Sequence, residues 1–168
     1  MFTITPELPS DAPAIDALLD LAFGPERHDK VVYRLREGVP SLSDLCLTGR
    51  IDDALIATLR FWPALVDGRD PVLLLGPIAV RQELRGLGYG IDLLNHGLEL
   101  AADSGWGAVA LVGDEPYYAR VGFSRAAAQN LSLPGLQQPE RLLARELRPD
   151  ALKTMSGPIG QARCVRAA

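Results

Sequence analysis

From Val72 to Val80 the chain runs nine residues without a charged side chain, and after a short polar link it reads Arg85-Gly86-Leu87-Gly88-Tyr89-Gly90. An apolar run with no alternation predicts a strand covered on both faces, at the centre of a sheet. The three alternate glycines let the backbone approach a ligand closely. Beyond them, Ile91, Leu94, Leu98 and Ala101 recur at helical spacing up to Gly105, which predicts a helix whose free N-terminal amides and positive dipole end face the glycine turn. Such a turn suits an anion, a diphosphate above all, and Arg85 adds one fixed positive charge. The next apolar run, Ala108 to Val112, predicts a short buried strand. A right-handed crossover places it parallel to the strand at 72–80, and ligands bind at the carboxyl ends of such strands.

Two familiar nucleotide motifs fail on these residues. The dinucleotide fingerprint needs a third glycine where Ile91 stands, and the P-loop needs Lys-Ser or Lys-Thr after its last glycine, where this chain has Ile91-Asp92. The segment resembles instead the acyl-CoA-binding motif of the GNAT acetyltransferase superfamily, with Arg85, Gly88 and Gly90 in its fixed places. A second block, Tyr117-Tyr118-Ala119-Arg120-Val121-Gly122-Phe123, resembles the late block of the same family, in the family's order and spacing. Leu75-Gly76-Pro77-Ile78-Ala79-Val80 and Leu111-Val112-Gly113-Asp114 look like those of a bacterial subgroup of N-acetyltransferases. The resemblance covers roughly residues 40–148. Gln82, where many members have proline, and Glu115-Pro116 depart from the pattern without removing a group that a phosphate site requires.

The resemblance implies an α/β fold of the GNAT type, a central mixed β-sheet flanked by helices, with residues 1–168 as one domain. It implies acetyl-CoA as cosubstrate, with no metal. The pantetheine would pair with backbone groups of Ile78, Ala79 and Val80, and the diphosphate would rest on the amides of Arg85, Gly86, Leu87, Gly88, Tyr89 and Gly90. Tyr118, four residues before Gly122, stands where the family commonly carries its general acid. A tyrosine with an ordinary pKa of about 10 is protonated at neutral pH and able to donate to a departing thiolate; the alternative is a core tyrosine bonded to a carbonyl. Two early helices would flank the acceptor pocket.

With 168 residues, 48% of them hydrophobic, the chain is long enough for one full core, and a second folded domain is not expected. A formal net charge of −4 argues against broad nucleic-acid affinity. No run approaches a membrane span and no signal-like N-terminus is present, so a cytoplasmic protein is expected, with no membrane partner. Cys46 and Cys164 lack metal-ligand spacing, and reduced thiols are the default.

Along the chain, Phe2 to Thr5 predicts a strand, and Ser10 or Asp11 caps a helix whose face is Ile15, Leu18, Leu19, Ala22 and Phe23. Gly24-Pro25 ends it, and a shorter helix is expected from about His28 to Glu37. A strand near Leu45 to Ile51 turns at Asp52-Asp53 into a second, Ala54 to Trp62, and Asp67-Gly68-Arg69-Asp70 turns again into the central strand. Residues 115–121 predict a short helix, Phe123 begins a strand, and Arg141 to Leu147 predicts the last one. Residues 149–168 show no core face and are expected to be an irregular cover or partly mobile.

No strong base is legible. Asp114 is the first candidate, but a helix cap is at least as natural for it, and Glu26, His28 and Asp29 read as loop or cap residues near the acceptor site. Trp62 and Phe61 read as packing, with substrate stacking the alternative. The leading reading is transfer of acetyl from acetyl-CoA to a primary amine in a direct ternary complex, the acceptor being a small-molecule amine or a peptide N-terminus. A non-catalytic acyl-CoA sensor is the alternative, and an enzyme acetylating charged transfer RNA is disfavoured by the acidic balance. An edge strand or the tail leaves a homodimer open.

Overall fold

In the computed structural model, which describes residues 1–162, the apolar run becomes β4 (Asp70–Val80), an inner strand of a mixed sheet. Before it come β1 (Phe2–Pro6), α1 (Ala12–Phe23), α2 (Val31–Arg36), β2 (Leu47–Ile51) and β3 (Ala54–Val66). After it come α3 (Tyr89–Asp103), β5 (Ala108–Val112), α4 (Glu115–Tyr118), β6 (Leu131–Ser132), β7 (Leu142–Glu146) and β8 (Gly157–Gln161). The sheet order is β1-β2-β3-β4-β5-β7. β1 to β4 form an antiparallel meander, β5 lies parallel to β4, and β7 closes antiparallel on β5.

The turns follow from residues that tolerate left-handed backbone. Asp52 and Asp53 (φ 47° and 68°) make the two-residue link between β2 and β3, while Asp67 and Gly68 (φ 50° and 67°) start the reversal into β4. On one face, α3 lays Leu93, Leu94, Leu98 and Ala101 on Leu59, Phe61, Leu73 and Val109. The other face is covered by the chain after β5, through Ala128, Leu131, Leu133, Leu152, Met155 and Ile159. Ile15, Leu18 and Leu19 of α1 pack on Leu55 and Ala79 near the end of β4.

The close seating of α3 depends on Gly97. A Cβ there would stand 2.8 Å from Leu59 and 2.9 Å from Phe61, both fully buried. Gly97→Val is therefore expected to overpack the helix–sheet contact and cost about 1–3 kcal/mol, read as a lower urea midpoint at unchanged slope.

Several expectations need correction. The tail after residue 149 is not an irregular cover throughout: Leu152, Met155 and Ile159 are buried, and β8 pairs with β3 at Ala64 to Val66 and with β6. β8 takes the edge of β3 that β2 leaves when its pairing stops at Leu59. Its Gly-Pro start and short apolar content hide it from periodicity, because neighbouring strands supply the core contacts. The part of that expectation concerning residues 163–168, with Cys164, lies outside the described residues. The second helix is shorter than expected, Val31–Arg36, with a 3₁₀ turn at Pro25–Asp29 before it. β3 runs on past Trp62 to Val66, and the strand expected at Phe123 is a single bridge between Ser124 and Ala144. β7 is accordingly not the last strand. Asp11 does occupy the N-cap of α1, but its carboxylate accepts from the Leu8 amide and pairs with Arg50 instead of capping the helix.

Candidate active site

The parallel pairing that makes the crossover possible also opens it. β4 and β5 are in register at Leu73–Val109 and Leu74–Ala110, and their pairing ends there although β4 continues to Val80. At the same point β4 carries one residue more than β3: Leu59 faces Ile78 while Phe61 faces Leu75, so Gly76 and Pro77 bulge opposite a single residue. A bulge bends its strand, here at the place where β4 parts from β5. Trp62 Nε1 donates to the Gly76 carbonyl at 2.7 Å and fixes the bulge from the β3 side.

The space between the splayed strands is a cleft of about 620 Å³. The structure brings to it Ile78, Ala79, Val80, Arg85, Gly86, Gly88, Tyr89, Gly90 and Tyr118, that is, the proposed strand template, most of the glycine turn and the candidate acid. Leu87 is the exception: it is 63% exposed and does not line the cleft.

Gly86 (φ 82°) and Gly88 (φ 95°) adopt left-handed backbone, and Gly88 is the N-cap of α3. A side chain at either position would be strained. Gly90 is required for another reason: its Cβ would stand 2.6 Å from the Tyr117 hydroxyl, so the first turn of α3 and the α4 segment touch here. The turn thus points the free amides of a 15-residue helix into the cleft. Arg85 is tethered to the strand that precedes it. Its Nε donates to the Val80 carbonyl at 3.2 Å, which ties the glycine turn to the end of β4.

Across the cleft, α4 starts at Asp114 and presents Tyr118 at its end. The Tyr118 ring packs on Gly113, where a Cβ would lie within 2.3 Å of it, and meets Phe123 edge-on at 6.2 Å and Tyr117 at 5.0 Å. Burial, reinforced by Tyr117 and Asp114, pushes the Tyr118 hydroxyl up to about 12. It is a proton donor at neutral pH, not a base. Asp114 caps α4 by position only; its carboxylate is exposed and pairs with Arg141 at 3.4 Å. Arg120 lies over the Tyr117 ring at 5.9 Å, at the cleft edge.

A second cavity, about 400 Å³, adjoins on the α1–α2 side and is lined by Asp16, Arg27, His28, Tyr33, Arg36 and Trp62 among others. His28 stacks edge-on against Tyr33 at 5.0 Å, and Arg27, 4% exposed, bonds Asp16 and Asp20. Arg36 and Tyr33 line both spaces. Sequence reasoning does not single out Arg36: beside the apolar positions Val31, Val32 and Leu35 it reads as a helix-end surface charge. Only the fold turns it inward.

A strand splayed from its parallel neighbour at a bulge, followed by a glycine turn on a helix N-terminus, is what the family resemblance leads one to expect. The profile of the acetyltransferase (GNAT) family matches residues 12–123, a span containing the whole cleft floor and the Tyr118 segment. The chain belongs to the GNAT acetyltransferase family. Among GNAT relatives, it is 34% identical over 157 residues to the Escherichia coli (strain K12) protein named Uncharacterized N-acetyltransferase YhbS, covering 91% of this chain and 92% of that one. The crystal structure of the E. coli GNAT protein YhbS in complex with CoA superposes with a TM-score of 0.83 at 32% identity, covering 95% of this chain and 89% of that chain. A GNAT acetyltransferase from Brucella melitensis, solved with acetyl-CoA, shares the fold at a TM-score of 0.71 and 23% identity over 95% of both chains. The mixed sheet flanked by helices is thus the GNAT fold, and this GNAT chain is an acyltransferase by family. Among the described residues no helix is long and apolar enough to cross a membrane.

Proposed function

We propose that this chain transfers the acetyl group of acetyl-CoA directly to a primary amine in a ternary complex, as one domain. The observation that carries the reading is the cleft itself: strand edge, glycine turn and Tyr118 line one continuous space between β4 and β5. The E. coli and Brucella relatives that share this architecture were solved with CoA and acetyl-CoA, which supports the same ligand here.

In this reading the pantetheine lies along β4 at Ile78, Ala79 and Val80, where pairing with β5 has ended. The diphosphate sits on the amides from Arg85 to Gly90, where helix dipole and unpaired N–H groups favour negative charge without clustered lysines. The thioester then falls between the bulge and Tyr118. A neutral amine attacks the thioester carbonyl; the tetrahedral adduct collapses by breaking the C–S bond, and Tyr118 gives its proton to the departing sulfur. Placing amine and thioester in one cleft supplies much of the acceleration. The amine proton leaves to solvent, since none of the described carboxylates is buried in the cleft, and the Tyr118 phenolate takes a proton back from solvent before the next turnover.

Calorimetry with acetyl-CoA tests the cofactor site. Wild type is expected to bind, and Gly88→Glu to bind roughly tenfold or more weakly, because its carboxylate would oppose the phosphates at close range. Gly88 has nothing within 4 Å of its Cβ position, so the side chain has room and the loss reports charge and backbone strain at the turn. No binding to folded wild type would sink the acetyltransferase reading. Binding without turnover on any amine would favour the sensor alternative.

A further inference from the structure

Arg36 ends α2 with only 8% of its surface exposed, and it lines both the main cleft and the cavity beside it. Its Nε and Nη1 are buried and have no hydrogen-bond partner among the described residues. Nη2 reaches the bulge, 3.0 Å from where a Gly76 Cβ would stand. The guanidinium lies over the rings of Tyr33, at 4.8 Å, and Trp62, at 5.6 Å.

The neighbouring arginines differ. Arg27 is paired with Asp16 and Asp20, and Arg60 makes a two-point bond to Glu7 at 2.7 and 2.8 Å. Arg36 makes no ion pair with the described carboxylates, although Asp16 and Glu37 line the same cavity. Burial draws it down to about 10, with Tyr33 opposing the shift, so at neutral pH it is still a cation. A buried charge without a partner is costly, and an anion that supplies the missing acceptors removes that cost.

We propose that the acceptor is an amine that also bears a carboxylate, and that Arg36 binds this carboxylate and so selects the acceptor. The inference rests on the acetyltransferase reading above. Each two-point edge of the guanidinium, Nε with Nη2 and Nη1 with Nη2, includes an unbonded donor, and a planar carboxylate matches such an edge. Gly76 is the residue that lets the guanidinium reach the bulge: at φ 128° it has no side chain to occupy that space. A carboxylate held there sits at the junction of the two cavities, and the amine of the same molecule extends into the cleft toward the thioester position. Arg36 would be a specificity-determining group, touching substrate remote from the reacting atoms.

The test is kcat/KM with acetyl-CoA for glycine, β-alanine and γ-aminobutyrate, each against its carboxamide, on wild type, Arg36→Met and Arg36→Lys. At least one carboxylate is expected to exceed its amide by tenfold or more on wild type, because a site that leaves a buried donor unpaired rejects the analogue lacking its partner. In Arg36→Met that ratio falls to near one, and Arg36→Lys restores part of it. Equal use of acids and amides by wild type, or a preference that survives in Arg36→Met, overturns the proposal while leaving the acetyltransferase standing. If none of the amines is acetylated, binding of the N-acetylated acids and amides to the CoA-loaded protein decides by calorimetry: acids favoured on wild type but not on Arg36→Met supports the assignment, and no such difference overturns it. Failure of acetyl-CoA itself to bind is a separate result, and it removes the underlying reading.

Discussion

Tyr118→Phe is expected to lower kcat by about a hundredfold or more while leaving acetyl-CoA affinity within a factor of two. The substitution removes one oxygen and keeps the ring, so the contacts with Gly113, Phe123 and Tyr117 persist. In the proposed mechanism, what the variant loses is the proton given to the sulfur as the C–S bond breaks, an interaction made only on the way to the transition state. The pH dependence has a definite sign. With the hydroxyl raised from its ordinary value to about 12, the acid form persists across the range in which the protein is assayed. The rate should therefore climb as the amine loses its proton and show no alkaline fall from this group below roughly pH 11. Stopped-time assays of CoA release for wild type and Tyr118→Phe, from pH 6 to pH 10, check both points. Unchanged turnover in the variant would remove Tyr118 from the acid role, and a falling limb near pH 9 would mean that another group is the acid.

The cleft was legible where local sequence and chemistry coincide. Glycines at 86 and 88 are needed by left-handed backbone, and the unalternating run at 72–80 is needed by a strand covered on both faces; each requirement is written in a few adjacent residues. The GNAT resemblance joined them to Tyr118. The cavity beside the cleft was not legible, because its parts are brought together by long-range contacts. Arg36 turns inward only because the Gly76–Pro77 bulge makes room and Trp62 supports it from β3. The end of α2 is held in turn by Gln161 of β8, whose side-chain amide donates to the carbonyls of Arg34 and Glu37. β8 has neither alternation nor β-branched content beyond Ile159, and its place is set by the edge that β2 leaves open. The bulge itself arises from a mismatch between two strands, which neither strand shows alone.

Gly113→Ala should reproduce the loss of Tyr118→Phe without touching a reacting group. A Cβ at residue 113 would lie 2.3 Å from Tyr118 Cε2 and 2.9 Å from Cδ2, far inside contact distance, and also 3.2 Å from Leu111. The residue sits just past β5, with its amide bonded to the Arg141 carbonyl at 2.9 Å, so the backbone is held and the ring must yield. Phe123 and Tyr117 already pack edge-on with that ring. Displacement by even about 1 Å is enough to spoil proton transfer, so kcat is expected to fall about a hundredfold with acetyl-CoA affinity retained. The decisive readout is the double-mutant cycle. If Gly113 acts through the hydroxyl, then Gly113→Ala in a Tyr118→Phe background lowers kcat little further, because the group it misplaces is already gone. Stability separates packing from catalysis: the methyl should cost about 1–3 kcal/mol with either aromatic ring present and much less in Tyr118→Ala, where the space is open. Multiplicative losses in kcat would show instead that Gly113 and the Tyr118 hydroxyl contribute independently, and the positioning role would fall.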